Sequence, residues 1–289
     1  MPTIELPQGK VEYRVAGPDD SASPPVVFVH GFLVSATLWT KTADALAAAG
    51  IRSYAPDWPL GSHRMALDES ADQTPRGVAR HVLSFLEALD LKDVTLVGND
   101  SGGAISQFVI DTDSARIGRL VLTNCDAFDK FPPPPFDFLF KSFKKAGAIK
   151  PLLAPMKAAS VRHSPAGFGL LAKNPFDAEQ TRAWVDPCLT DADVRRDTAA
   201  FVRAVDDTDL MDVSSRQKDF PGPVLLVWGN ADRFFKIDLG RRLETSFSNA
   251  RLVEVEGGKT FIPLDFPERL AEEIGAFIAE SSAKAGATG

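Results

Sequence analysis

The 289-residue chain carries 32 Lys and Arg against 39 Asp and Glu, a net charge of −7, with 44% hydrophobic and 25% charged residues. This composition excludes a disordered or fibrous chain, and an acidic balance without a basic block leaves phosphate-driven nucleic-acid binding little to work with. Its two cysteines, Cys125 and Cys188, are too few for a disulfide framework and lack the spacing of a zinc site, so both read as packed thiols.

The opening residues Met1-Pro2-Thr3-Ile4-Glu5 lack a basic region followed by an apolar stretch, and no run of about 18 apolar residues occurs anywhere. A cytoplasmic protein with no membrane or nucleic-acid partner is expected. Its partner should be a small apolar molecule, and the oligomeric state stays open.

Short β-branched runs alternate with helix-length amphipathic stretches, the pattern of a mostly parallel sheet flanked by helices. Strands are predicted at Thr3 to Leu6 and Val11 to Val15, as a hairpin around Pro7-Gln8-Gly9, and then at Val26 to Val29 and Arg52 to Ala55. A helix follows, with Thr74 as N-cap, Pro75 at its first position and an apolar stripe of Val78, Val82, Phe85, Leu86 and Leu89. Further strands are predicted at Val94 to Val97, Leu120 to Thr123, Val224 to Trp228 and Arg251 to Val255, making eight. A last helix carries Leu270, Ile274, Phe277 and Ile278 behind Pro267.

From about Ala127 to Asp219 the alternation stops and only helical periods, prolines and phenylalanines remain. This reads as a helical cap over residues 127–219, inserted in an α/β core of residues 1–126 and 220–289. Phe131 to Phe136 with its four prolines suggests a stiff extended spacer, and Thr190-Asp191-Ala192-Asp193 resembles a capping box before a helix with Val194, Phe201, Val202 and Val205. Phe138, Phe140, Phe143, Phe168 and Phe176 are candidates for the wall of an apolar cleft, or simply for packing.

After Val94 to Val97 comes Gly98-Asn99-Asp100-Ser101-Gly102-Gly103, then a helix-like stretch. A tight strand-to-helix turn that exposes one side chain needs small residues two before and two after it. Gly98 and Gly102 meet that need for Asp100, whereas Ser101 would have Asn99 two positions before it. The register therefore selects Asp100. Here the chain resembles the α/β-hydrolase fold over nearly its whole length: His30-Gly31-Phe32 matches the oxyanion loop, Asp232 the acid after the seventh strand, and the insertion the cap. An aspartate at the elbow is similar to the Asp-nucleophile group, the haloalkane dehalogenases, fluoroacetate dehalogenases and epoxide hydrolases. The resemblance implies that Asp100 attacks an sp³ carbon to form an alkyl ester, with the backbone N–H groups of Phe32 and Ser101 polarising its carbonyl. Asp126, after the sixth strand, is a second candidate acid.

The resemblance also implies a histidine base after the last strand, oriented by the acid. Counting back from Pro267 in Gly257-Gly258-Lys259-Thr260-Phe261 puts Thr260 in that place. His63, His163 and Lys259 are the candidates for a substitute base; His30 belongs to the oxyanion loop, and His81 is expected to face solvent beside the apolar stripe. The tryptophan that follows the nucleophile in haloalkane dehalogenases is Ser101 here. Cap tyrosines are absent, since Tyr13 and Tyr54 lie outside the insertion, and the fluoroacetate-type arginines are missing too. Neither cofactor nor metal is implied, because no phosphate loop or ligand cluster occurs. The expectation is a hydrolase acting on a small apolar electrophile, an alkyl halide, epoxide or relative, through Asp100. The alternatives are a ligand-binding protein without turnover, or a lyase or isomerase with Asp100 as general base.

Overall fold

Each apolar run expected as a strand is one in the computed structural model, which describes residues 1–288 and, within them, every side chain except those of Asp207 and 284–288. The strands are β1 (Thr3–Leu6), β2 (Gly9–Ala16), β3 (Val26–Val29), β4 (Ser53–Pro56), β5 (Val94–Asp100), β6 (Ile117–Cys125), β7 (Val224–Gly229) and β8 (Ala250–Val255). They form one sheet in the order β1-β2-β4-β3-β5-β6-β7-β8. Only β1 with β2 and β2 with β4 pair antiparallel; the rest are parallel. The inner strands are buried along their length, β3 as Val-Val-Phe-Val, which is why they read as continuous apolar runs.

The crossover helices are α1 (Thr40–Ala48) after β3, α2 (Pro75–Ala88) after β4, α3 (Ser101–Thr112) after β5 and α10 (Ile237–Ser246) after β7. Between β6 and β7 lie α4 (Phe136–Phe143), α5 (Ala146–Leu153), α6 (Ala159–Arg162), α7 (Ala178–Thr190), α8 (Ala192–Ala204) and α9 (Asp207–Ser215). The chain ends with α11 (Ile262–Asp265) and α12 (Pro267–Thr288). Right-handed crossovers from β3 leftward to β4 and from β5 rightward to β6 send α1 and α3 to opposite faces, so the neighbours β3 and β5 flank the switch point of the sheet. Loops leaving these two strands meet there. Among the described residues no helix is long and apolar enough to cross a membrane.

Three local expectations need correction. The residue that caps α8 is Asp191, which accepts from the N–H groups of Asp193 and Val194, while the Thr190 hydroxyl turns back to donate to the Asp186 carbonyl as the last residue of α7. The proline run is not an extended spacer: the Pro133 carbonyl accepts from the Phe136 N–H at 2.9 Å, turning the chain straight into α4. His81 does not face solvent but is buried edge-on to Trp58, because it stands three residues after Val78 and four before Phe85, on the stripe itself.

The helices between β6 and β7 are tied to the strap that follows β4. The Ser62 hydroxyl donates to the Trp184 carbonyl at 2.7 Å. Buried Asp197 on α8 accepts from the Leu67 N–H at 2.7 Å and from Gln73 Nε2 at 2.8 Å, with Arg196 at 2.9 Å and His63 Nε2 at 3.4 Å completing its surroundings. Stripping one carboxylate from such a network leaves several buried donors without acceptors. Asp197→Ala is expected to lower unfolding free energy by about 3 kcal/mol in denaturant titrations; a loss within experimental scatter would show that this network does not hold the insertion down.

Candidate active site

The turn from β5 to α3 is shaped by lack of space. A Cβ on Gly102 would fall on the Val29 carbonyl oxygen, and one on Gly98 would press on the Ser106 hydroxyl and the Gly102 carbonyl at 2.6 and 2.7 Å. Between these glycines Asp100 takes φ +55° and ψ −133°, a conformation that costs a non-glycine residue on the order of 1–3 kcal/mol. Its side chain lines a cavity of about 330 Å³ at the switch point. The loop after β3 lies across its carboxyl, since a Cβ on Gly31 would collide with Asp100 Oδ2. The backbone N–H groups of Ser101 and Phe32 stabilise the charge of this carboxylate.

Asp232, in the loop after β7, is buried and fully engaged. One carboxyl oxygen accepts from the N–H groups of Phe234 and Phe235 at 2.8 and 3.1 Å. The other accepts from Asn124 Nδ2 and from the Thr260 hydroxyl, each at 2.9 Å. Thr260 is 0% exposed and does not line the cavity; its carbonyl accepts from Asn99 Nδ2 at 2.7 Å. Asn99, too large for the register of Ser101, thus has its own task, pinning the Thr260 loop to the end of β5. Asp126 lines the cavity beside Asp100. Its N–H donates to the Asp100 carbonyl at 3.4 Å, and its own carbonyl accepts from Gln107 Nε2 at 2.9 Å. Nothing in the sequence assigns a task to Gln107, Asn99 enters it only as the bulky residue two before Ser101, and the one hint of Asn124 is the polar run Thr123-Asn124-Cys125-Asp126 at the end of an otherwise apolar strand.

The histidines are placed elsewhere. Trp58 donates its N–H to His30 Nε2 at 2.8 Å, so the ring proton sits on Nδ1, 2.9 Å from the Gly31 carbonyl. Burial pushes His30 down to about 4, leaving a neutral ring that braces the loop. His63 faces Asp197, and His163 lies 2.9 Å from the Thr181 hydroxyl; neither lines the cavity. Lys259 donates to the Ala172 carbonyl at 2.9 Å. Both cysteines are buried free thiols. Among the described residues no group of three or more His, Cys, Asp or Glu is placed to hold a metal ion.

The cavity wall is otherwise apolar. Phe140 and Phe168 contribute to it, whereas Phe143 is buried behind it and Phe138, at 74% exposure, points away from the core. Leu152 lines it at 47% exposure and marks its open rim. The only polar side chains among the described residues of the wall are Asp100, Ser101 and Asp126. Burial, and next to it the charge of Asp232, push the Asp100 carboxyl up to about 7 against the pull of its two N–H donors. Burial and the charge of Asp100 push Asp126 well above the ordinary carboxylate range. The Ser101 hydroxyl opposes this shift without meeting either Asp126 oxygen in hydrogen-bond geometry. Burial also raises Asp232 despite its four donors.

The sequence matches the alpha/beta hydrolase family over residues 26–273. The 2-hydroxy-6-oxononadienedioate/2-hydroxy-6-oxononatrienedioate hydrolase of Cupriavidus pinatubonensis is 26% identical over 260 residues, 86% of this chain and 85% of its own length. Haloalkane dehalogenase 1 of Mycobacterium bovis is 31% identical over 155 residues, 53% of this chain and 51% of its own. The crystal structure of haloalkane dehalogenase DbeA from Bradyrhizobium elkani superposes with a TM-score of 0.78 over 98% of both chains, at 17% identity, a likeness of fold.

Two outcomes follow from these bonds and charges. A carboxyl raised by the fold costs no stability below its unfolded value of 3.8 and a growing amount as pH climbs toward about 7. Asp100→Asn is therefore expected to exceed the parent chain in stability by on the order of 2 kcal/mol at about pH 8, with the gain vanishing near pH 4. Denaturant titrations at both pH values check this, and a gain independent of pH would contradict it. Thr260→Val, which removes one donor from Asp232 at constant shape, should cost about 1–2 kcal/mol in the same assay; a neutral result would mean that the three remaining donors suffice.

Proposed function

The chain belongs to the alpha/beta hydrolase family, and on that premise we propose that it hydrolyses a small apolar electrophile through an ester formed on Asp100. The observation that carries the reading is a half-buried carboxylate on a positive-φ turn, stabilised by two backbone N–H groups and facing an apolar cavity. A carboxylate suits displacement at an sp³ carbon, giving an alkyl ester, whereas a serine suits acyl transfer. Water then attacks the ester carbonyl, and the Phe32 and Ser101 N–H groups hold the oxygen on which charge develops. In this reading Asp232 stands in the acid position with Thr260 in place of the base it would orient. An alkyl halide or an epoxide fits a cavity of this size, at the small end of the roughly 300–1,000 Å³ typical of ligand sites.

Thr260 locked onto Asp232 also favours a second reading, a pocket that captures its ligand without release. Single-turnover hydrolysis in ¹⁸O-water separates the two. Attack on the ester carbonyl places the label in the peptide that contains Asp100. Label found only in the product would mean that water attacks the substrate directly and would remove Asp100 as nucleophile; an adduct on Asp100 that persists in intact-mass spectra supports capture.

A further inference from the structure

Asp126 is 1% exposed, lines the cavity, and neither of its carboxyl oxygens has a hydrogen-bond partner. A buried carboxyl left in this state is costly unless something that enters the cavity satisfies it. Its backbone is fixed on both sides, by the bond to the Asp100 carbonyl and by Gln107, whose Oε1 accepts in turn from Gln217 Nε2 at 2.7 Å. The groups that face it are Asp100 from β5, the Ser101 hydroxyl from α3 and the Cys125 thiol beside it on β6.

We propose that Asp126 is both acid and base of this site: it protonates the departing oxygen of an epoxide as Asp100 attacks the carbon, then takes a proton from the water that cleaves the resulting ester. The inference rests on the reading of Asp100 as nucleophile and narrows its substrate class.

Two carboxyls in one largely apolar cavity hold a single proton between them near neutrality. Two backbone N–H groups stabilise the Asp100 charge, whereas at Asp126 only the Ser101 hydroxyl opposes the rise and neither oxygen has a hydrogen-bond partner, so the proton resides on Asp126. The departing atom meets no Lys, Arg, His, Trp, Tyr, Asn or Gln side chain among the described residues of the wall. A halide ion leaving there would face carboxyls with no side-chain N–H to receive it. An epoxide oxygen needs only the proton that Asp126 carries.

The cycle closes without an imidazole. Asp100 forms a bond to carbon, the carbon–oxygen bond breaks, and its electron pair takes the Asp126 proton to give a hydroxyl. The Asp126 carboxylate then accepts a proton from water as the hydroxide adds to the ester carbonyl. Collapse of the tetrahedral centre expels the second oxygen of the diol, which takes the hydroxyl proton left on the Asp100 carboxyl. Asp100 ends charged and Asp126 protonated, as they began.

Hexene oxide and hexyl bromide test this on one hydrocarbon skeleton. The native protein should convert hexene oxide to diol with multiple turnover, and Asp126→Asn should slow this about 100-fold or more, the range of a lost general acid. Alkylation of Asp100 by hexyl bromide, whose leaving group needs no proton, should slow less than about tenfold. The native protein gives a check that needs no variant: as pH rises above neutral, hexene oxide consumption should fall with loss of the Asp126 proton while bromide alkylation does not. Unchanged hexene oxide turnover in Asp126→Asn, or identical pH profiles for the two probes, would overturn the proposal. If hexyl bromide still labels the native protein and not Asp100→Asn, the nucleophile reading survives that failure. No label and no turnover with either probe would overturn both.

Discussion

Between β3, β5 and α3 there is no room for a side chain at Gly98 or Gly102, and this crowding turns Asp100 outward at the edge of the sheet. The positive φ is the cost of that turn. Its return is a carboxylate whose position is set by three backbone segments rather than by a flexible side-chain environment. Gly31 belongs to the same constraint, because only a residue without Cβ lets the loop after β3 pass over the carboxyl with the Phe32 N–H in reach. Strand order supplies the rest: β3 and β5 are neighbours whose crossovers diverge, so these loops meet at a crevice and not over a packed helix.

Three carboxyls then share one buried region, and the fold treats them unequally. Asp232 receives four hydrogen bonds, the Asp100 charge is supported by two backbone N–H groups, and Asp126 has only the Ser101 hydroxyl nearby, with no hydrogen-bond partner on either oxygen. Burial raises all three, but the graded supply of donors orders them, so that charge is best tolerated at Asp232 and least at Asp126. Imidazoles take no part in this ordering. His30 braces the loop after β3, His63 joins the Asp197 network, His163 sits against Thr181, and His81 packs edge-on to Trp58.

The inner strands are legible because parallel strands buried on both faces must be apolar and β-branched, the β1–β2 pair is legible from its turn at Pro7-Gln8-Gly9, and Gly98 and Gly102 reveal the register of the turn after β5 through their lack of side chains. Thr260 opposite Asp232 could be located by counting from Pro267. Other features depend on the third dimension. The bonds Asn99 makes to Thr260 and Gln107 makes to Asp126 span 161 and 19 residues, and nothing local in the sequence marks their partners. His81 is buried because its position on the stripe outweighs the polarity of its ring. Thr190 and Asp191 both have side chains able to cap, and only the end of α7 decides between them.

Leu152 at the rim, half open to water above an otherwise greasy wall, makes entry a matter of partitioning. Each methylene a guest withdraws from solvent adds about 0.8 kcal/mol, whatever reactive group it carries. Discrimination among homologous guests is thereby graded by chain length until the chamber is full. On the proposed hydrolysis, a hydroxylated product, more at home in bulk water than its precursor, would leave down the same gradient that drew the precursor in.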